Sequence, residues 1–455
     1  MGRHRDGRPP ATQRAFAIDG LTAGMSTLEL SGGHVLGPAF QVRRADLLLD
    51  VEAGEIVEIG ALEGTGDRRL DCGGALVMPG LVNAHCHVAM TLLRGYADDK
   101  PLGAWLEEDI WPAEAALEPA DVRAGAELGV LEMLKAGTTA FVDMYFHVSE
   151  IADVVRRAGC RARLGHGVVT TNGSRQAAHD DATESLAIAE RFDGAADGRI
   201  RTAFMPHSLT TVDAWVLEEY VPRAREQGIP IHYHANETHS DVEQCRTERG
   251  VAPLAYAHAL GVLEPQDFLA HGVHLEAPEV DLLAESGTGV VHCPASNMKL
   301  ASGMAPIQRL LEAGVTVGLG TDGAASNNDL DMFAEMRAAA LLGKIAAGDA
   351  GAVAAPETLR MATEGSAATA GLPVGRVEVG GIADLAVVDF ETPHLTPTHD
   401  HVSQLVYAAR ASDVRHTICG GSVVMEDRTV RSFDEERVRR RAETAADSLI
   451  ARAEQ

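Results

Sequence analysis

The sequence predicts an α/β fold: a (β/α)8 TIM-like barrel with a small β-sandwich domain formed by both chain ends. Three observations carry that expectation. From VMPGLVNAHCH onward, eight short apolar segments alternate with helical patterns, and such alternation gives a parallel sheet with helical crossovers. The eight units occupy about 290 residues, which matches a closed barrel better than an open sheet. On either side of them the texture turns to short strands, and these two sets are expected to pair with one another.

The elements follow in order. Residues 1–24 are basic and rich in Gly, Pro and Arg. They lack the uninterrupted apolar stretch of a signal peptide and read as a disordered leader. Residues 25–78 open the small β domain, with STLELSGGHVL and RRADLLLDVEAGEIVEIG as alternating strands separated by turns. In GGALVMPGLVNAHCH an apolar run ends in polar and histidine residues, as in a buried parallel strand with its tip in a site. Residues 79–375 form the barrel. ADVRAGAELGVLEMLKAG is a helix closed by Gly137. Strands TTAFVDMYF, RARLGHGVV, IRTAFMPHS, IPIHYHANE, DFLAHGVHL, GVVHCPAS and VTVGLGTD then alternate with helices. The helical stretches include 212–228, 277–286, 329–345 and 356–370. Residues 376–432, with GRVEVGGIADLAVVDF and VRHTICGGSVVMEDRTV, complete the β domain, and 433–455 read as a solvated charged helix.

The totals exclude several classes. The chain has 455 residues and is 45% apolar, ample for a large core. It carries 39 basic and 66 acidic residues, a net charge of -27. Such a surface repels nucleic acid and anionic membranes. It also fits a halophilic protein in a salt-rich cytoplasm, where self-repulsion is screened. No run of 18 apolar residues is present, so no membrane-spanning helix is expected. The six cysteines, Cys72, Cys86, Cys160, Cys245, Cys293 and Cys419, include no CxxC pair, and no disulfide scaffold is expected. Cys86 and Cys293 read as buried wall residues.

His85 and His87 form an HxH pair at the tip of the first barrel strand. Residues two apart on a strand share a face, so both imidazoles can reach one ion, and zinc accepts such ligands. The pair alone is weak evidence. His207, His234, His271 and Asp322 sit at the ends of other barrel strands, and in a closed barrel those ends converge on one mouth. Five histidines and one aspartate at equivalent positions point to a metal site. His232 shares the parity of His234 and reads as a core histidine in a lower layer. His274 and His292 read as standing behind the ligands. Glu237 lies three residues beyond His234, where a carboxylate can carry protons beside a metal-bound water without ligating.

The stretches PGLVNAHCHVAMTLLRGYADD, WLEEDIWPAE, AGTTAFVDMYFH, HYHANET, AHGVHL, HCPASNMKLASGMAPIQRLLEAG and LGTDGAASNNDLDMFAEMR cover most of residues 79–340. Through them the chain resembles the amidohydrolase superfamily. Within it, the chain is similar to the methylthioadenosine/S-adenosylhomocysteine deaminases and their chlorohydrolase and aminohydrolase relatives. LGTDGAASNN and PASNMKL are the most specific of the matching stretches. The resemblance implies one divalent metal per subunit, usually zinc, held by His85, His87, His234 and Asp322. It implies Glu237 as proton shuttle, Asp322 as an aid to deprotonating the water, and His271 as a contact to that water. It implies that His207 touches the purine and Glu114 the ribose hydroxyls. Two-metal members carry a lysine on a middle strand, and the strands leading to His166 and His207 have none. Where the resembling deaminases carry a basic pocket residue, usually arginine, this chain has His166, which offers no bidentate fork; Arg175, in TTNGSRQ, is the candidate for a second basic contact, and the resemblance leaves the 5′ substituent open. The implied activity is hydrolytic deamination of an adenosine-type nucleoside, with a purine base, pterin or triazine ring as the alternative substrate. A non-catalytic metal scaffold has no use for Glu237 and His271. The resemblance also implies a homo-oligomer, at least a dimer.

Overall fold

Parallel strands build the centre of the molecule. In the computed structural model, which describes residues 26–62, 64–171 and 173–455, they fall into two sheets. The first runs Leu81–Cys86, Thr138–Tyr145, Arg161–Val168 and Ile200–Thr202, with Met205–Pro206 also on the third strand. The second runs His232–Ala235, Phe268–His271, Gly289–His292 and Val317–Leu319. Apart from Arg201 the strands are buried along their length, as the near-continuous apolar runs required. The expected leader, residues 1–24, lies outside the described residues.

The two sheets meet at both edges. On one side Phe204 bridges Ile231 and Ser208 bridges His234, in parallel, and the His234 N–H donates to the His207 carbonyl at 2.9 Å. On the other side the Asp322 N–H donates to the His85 carbonyl at 3.0 Å. The Asn83 amide donates to Thr321 Oγ1 at 2.7 Å, and its Oδ1 accepts from the Thr321 N–H. These last contacts lock the final parallel strand to the first and bring Asp322 beside His85.

Helices alternate with these strands. Pro119–Lys135 starts on a proline and stops before Gly137, whose φ of 78° suits glycine. A glycine face lets this helix approach the segment after His87. A Cβ at Gly125 would lie 2.4 Å from the Ala89 carbonyl oxygen, and Thr91 Oγ1 donates to the Gly125 carbonyl at 2.7 Å.

Several local expectations change. IRTAFMPHS is not one strand but two short pieces around Ala203 and Phe204, because that stretch shares its partners between the two sheets. The stretch 88–115, which had no assigned helix, winds through Val88–Leu93, Leu102–Trp105, Leu106–Ile110 and Trp111–Ala115. An additional helix, His239–Arg249, follows Glu237, started by reciprocal bonds between Thr238 and Asp241. Glu435–Ala453 is not wholly solvated. Val438, Ala442 and Leu449 are buried, and Arg441 pairs with Glu127 at 2.8 Å on helix Pro119–Lys135.

The chain ends do pair. Ala75–Pro79 lies antiparallel to Leu385–Asp389 in a seven-stranded sheet. A four-stranded sheet holds Thr27–Ser31, Asp46–Asp50, Glu55–Gly60 and Arg68–Asp71. One apolar cluster draws Leu28 and Leu47 from the smaller sheet and Val77, Leu385 and Ile418 from the larger.

Candidate active site

His85 lies one residue before the end of the fully buried strand Leu81–Cys86, and its ring orientation is set by a relay. The Phe268 carbonyl can only accept, so His232 Nδ1, 3.0 Å away, carries the proton. His232 Nε2 is then an acceptor, and His85 Nδ1 donates to it at 2.8 Å. His85 Nε2 is left with a free lone pair. The same logic applies twice more. His87 Nδ1 donates to the Met144 carbonyl at 2.6 Å, and His234 Nδ1 donates to the His207 carbonyl at 2.6 Å. All three Nε2 lone pairs therefore face one point.

Asp322 completes the group. Its Oδ1 lies 3.4 Å from His85 Nε2 and 3.2 Å from His87 Nε2. Its Oδ2 accepts from Ser296 Oγ and Ser326 Oγ, both at 2.7 Å. The ligand atoms of His85, His87, His234 and Asp322 all lie within 4.8 Å of one another. In these tautomers four acceptors converge, and His85 Nε2 and His234 Nε2 are only 3.2 Å apart. Such a set repels itself unless a cation sits inside it, so the residues present fit a metal.

Burial disfavours charge on His85 and His234, holding His85 down at about 4; it opposes charge on His87 too, but the Asp322 carboxylate outweighs it and raises His87 to about 9. Burial also opposes the charge on Asp322, but the imidazoles of His85 and His87 beside it outweigh that and lower its pKa. His271 and Asp322 both hold left-handed backbone, at φ of 77° and 60°, a strain that structures retain at working sites. Gly320 is required just before Asp322, because a Cβ there would meet the His85 carbonyl oxygen at 2.7 Å.

Beside the metal-binding group stand the groups that do not ligate. His271 Nδ1 lies 3.0 Å from Asn297 Oδ1, and its Nε2 lies 3.5 Å from Glu237 Oε2. Glu237 Oε1 accepts from Ser302 Oγ at 3.4 Å. Burial pushes Glu237 up to about 7. His207 is fixed by Thr211 Oγ1 at 2.8 Å from Nδ1, and burial holds it at about 3, the neutral form at ordinary pH. Glu114 arrives from helix Trp111–Ala115, with Oε1 shielded and unpartnered. Burial pushes it up to about 7, against the pull of the Tyr145 hydroxyl.

One cavity joins these residues. It encloses about 1020 Å³, including space open to solvent, and is lined by His87, Glu114, His207, His234, Glu237, His271 and Asp322. His85 is sealed beneath it. Two expected contacts are not brought in. His166 lies behind the wall, its Nε2 2.6 Å from Asp181 Oδ1. Arg175 is exposed, its guanidinium 4.0 Å above the Trp215 ring. The structure also adds residues that the sequence reading passed over. Ser296 and Ser326 hold Asp322, and Asp143 Oδ1 accepts the Val88 N–H at 2.5 Å just beyond His87. A lone acid inside the apolar strand TTAFVDMYF was the available signal for Asp143. Six free cysteines, all buried, agree with the absence of a disulfide scaffold among the described residues.

Residues 76–424 match the amidohydrolase family. The chain belongs to this family. Its relatives include a 5-methylthioadenosine/S-adenosylhomocysteine deaminase from Natronomonas pharaonis, 60% identical over 94% of this chain and 100% of that protein. The corresponding protein from Halobacterium salinarum is 61% identical over 94% and 99%. A 5'-deoxyadenosine deaminase from Methanosarcina acetivorans is 44% identical over 89% and 93%. Among solved structures, a zinc-bound adenosine deaminase from Xanthomonas campestris is 36% identical, with a TM-score of 0.88 over 93% of this chain and 98% of that one. A triazine hydrolase from Arthrobacter aurescens, 24% identical with a TM-score of 0.86 over 92% and 99%, shares the fold. Membership of the amidohydrolase family, with these structural neighbours, brings with it the TIM-barrel fold.

Proposed function

We propose that this amidohydrolase deaminates adenosine-type nucleosides hydrolytically, releasing ammonia and an inosine-type product. The observation that carries the reading is the cavity floor. Three Nε2 lone pairs and Asp322 Oδ1 converge there, and Glu237, outside that group, faces the same space. One divalent metal per chain, zinc in this reading, is held by His85, His87, His234 and Asp322, and when bound it supplies a water acidic enough to serve as nucleophile near neutral pH.

The chain's own residues do the rest. Asp322 accepts a proton from the attacking water, and its Oδ2 stays engaged by the two serines. His271, with Nδ1 tied to Asn297, directs Nε2 toward the attacking oxygen. Glu237, with its raised pKa, gives a proton to ring nitrogen N1 as the C6–O bond forms, so no bare negative charge builds on the ring. The proton taken up by Asp322 passes to the amino group, which leaves as ammonia as the C6–N bond breaks, and the new hydroxyl returns its proton to Glu237. His207, held neutral, packs against the purine. Glu114, whose Oε1 lacks a partner, accepts hydrogen bonds from the ribose 2′ and 3′ hydroxyls.

The test is ammonia release from methylthioadenosine, S-adenosylhomocysteine, 5′-deoxyadenosine, adenosine and free adenine. Nucleosides should far exceed adenine in kcat/KM, because a site built for ribose is left unpaired without it. Glu114→Ala should narrow that gap mainly by losing nucleoside activity. Equal or better turnover of adenine moves the reaction to a free base. Glu237→Gln should keep its metal and lose at least about 100-fold in turnover; near-normal turnover assigns the proton to another group. Elemental analysis should find one zinc per chain, and two tightly held ions would refute the single-metal reading.

We read residues 25–78 with 376–432 as one small β-sandwich domain beside the barrel of 79–375. The terminal helix 433–455 follows it. We read the assembly as a homo-oligomer, at least a dimer, in a salt-rich cytoplasm. A monomeric mass by light scattering at high salt would reject the oligomer.

A further inference from the structure

Charge in the cavity is one-sided. Apart from the metal-binding group, its carboxylates are Glu114, Glu237 and Asp241, and among the described residues neither lysine nor arginine lines it. Asp241 is held in place, its Oδ2 accepting the Thr238 N–H at 3.1 Å. The basic groups nearest in sequence are engaged elsewhere. His166 is paired with Asp181 and shielded by Phe146, whose ring meets it edge-on at 5.9 Å. Arg175 lies over Trp215 at the surface. Much of the remaining wall is apolar and aromatic, with Leu102, Trp105, Leu106 and Trp111, and its polar side chains are engaged already: Ser208 with Thr210 and Thr211, Thr211 with His207, and Asn236 with the His274 carbonyl.

Building on the deaminase reading, we infer that the cavity selects nucleosides whose 5′ substituent is uncharged and apolar, such as methyl or methylthio, and discriminates against a 5′ tail carrying a carboxylate. A carboxylate entering this space sheds water and finds no cationic donor to replace it. It also meets the field of Asp241 and Glu114. An amino-acid tail gains Asp241 for its ammonium and still leaves its carboxylate unpaired. A thioether loses little on leaving water, and its polarizable sulfur packs well against aromatic rings.

Size must be separated from charge. The test compares adenosine 5′-carboxylic acid with its 5′-carboxamide, which differ little in volume, and methylthioadenosine with S-adenosylhomocysteine, all at one fixed salt concentration. The expected kcat/KM is at least about tenfold higher for the amide than for the acid, the scale of an unpaired buried polar group. Methylthioadenosine should likewise exceed S-adenosylhomocysteine at least about tenfold, on the same ground. Arg175→Ala should leave the acid-to-amide ratio unchanged. Acid turned over as well as amide overturns the selectivity and leaves the deaminase reading standing. A selective loss of the acid in Arg175→Ala also overturns it, since the cation then reaches the cavity. Ammonia from none of the four nucleosides overturns the deaminase reading and the selectivity together.

Discussion

At the scale of single residues, the site depends on which nitrogen of each histidine carries the proton. Three carbonyl oxygens, of Phe268, Met144 and His207, settle that for the whole group, the first acting on His85 through His232. The sequence showed His232 as a core histidine, and the structure gives that role a direction. Ser296 and Ser326 act similarly on Asp322, leaving Oδ1 toward the other ligands. Replacing both with alanine should weaken metal binding about 10- to 100-fold, the usual effect of losing such orienting partners. Competition with a chelator measures this, and activity should return at saturating metal. Unchanged affinity would show that Asp322 is held by other means. His292 makes a different point. It is fully buried, neither ring nitrogen has a partner, and burial holds its pKa at about 3 against an ordinary 6.5. Between those values the folded protein binds fewer protons than the unfolded chain, so stability is lost as pH falls below about 6.5. Relative to His292→Leu, the wild type should lose up to about 1.4 kcal/mol per pH unit on acidification. Urea unfolding at matched metal content measures the difference; a flat difference between pH 7 and 5 would refute it.

At the scale of elements, close approach decides more than propensity. Gly320 sits where the last parallel strand touches the first, with no room for a Cβ against His85. Gly320→Ala should force those strands apart, lowering stability by about 1–3 kcal/mol, the range for overpacking. It should also lower metal content, because Asp322 moves with that strand. Full metal occupancy with an unshifted melting curve would show that the edge yields freely. The parallel strands were legible because apolar runs bounded by turns are a local signal. Ile200–Thr202 and Met205–Pro206 were not legible as separate pieces, since the break arises from sharing partners across two sheets. The helices of 88–115 were missed for a related reason. They are short, and the packing that stabilises Val88–Leu93 comes from the glycine face of a helix some 30 residues later.

At the scale of the whole molecule, the net charge of -27 dominates. Repulsion summed over such a surface opposes compaction, and salt screens it over a length of about 10 Å at 0.1 M and 3 Å at 1 M. The melting temperature should therefore rise steadily between about 0.1 and 2 M KCl. A melting temperature that falls over that range would mean that the surface ion pairs outweigh the repulsion. No helix among the described residues is long and apolar enough to cross a membrane.

By itself the sequence determined the alternation of strands and helices, the strand-end placement of His85, His87, His234 and Asp322, and the excess of acid. These are properties of short windows or of sums, and neither needs a partner to be known. The tertiary structure alone decided the tautomers of the ligand histidines, the pairing of Ala75–Pro79 with Leu385–Asp389, the docking of Glu435–Ala453, and the distance of Arg175 from the cavity. Each of these is fixed by a group far away in the chain. Hydrogen bonds and packing contacts act over a few ångströms of space, whatever the separation in sequence.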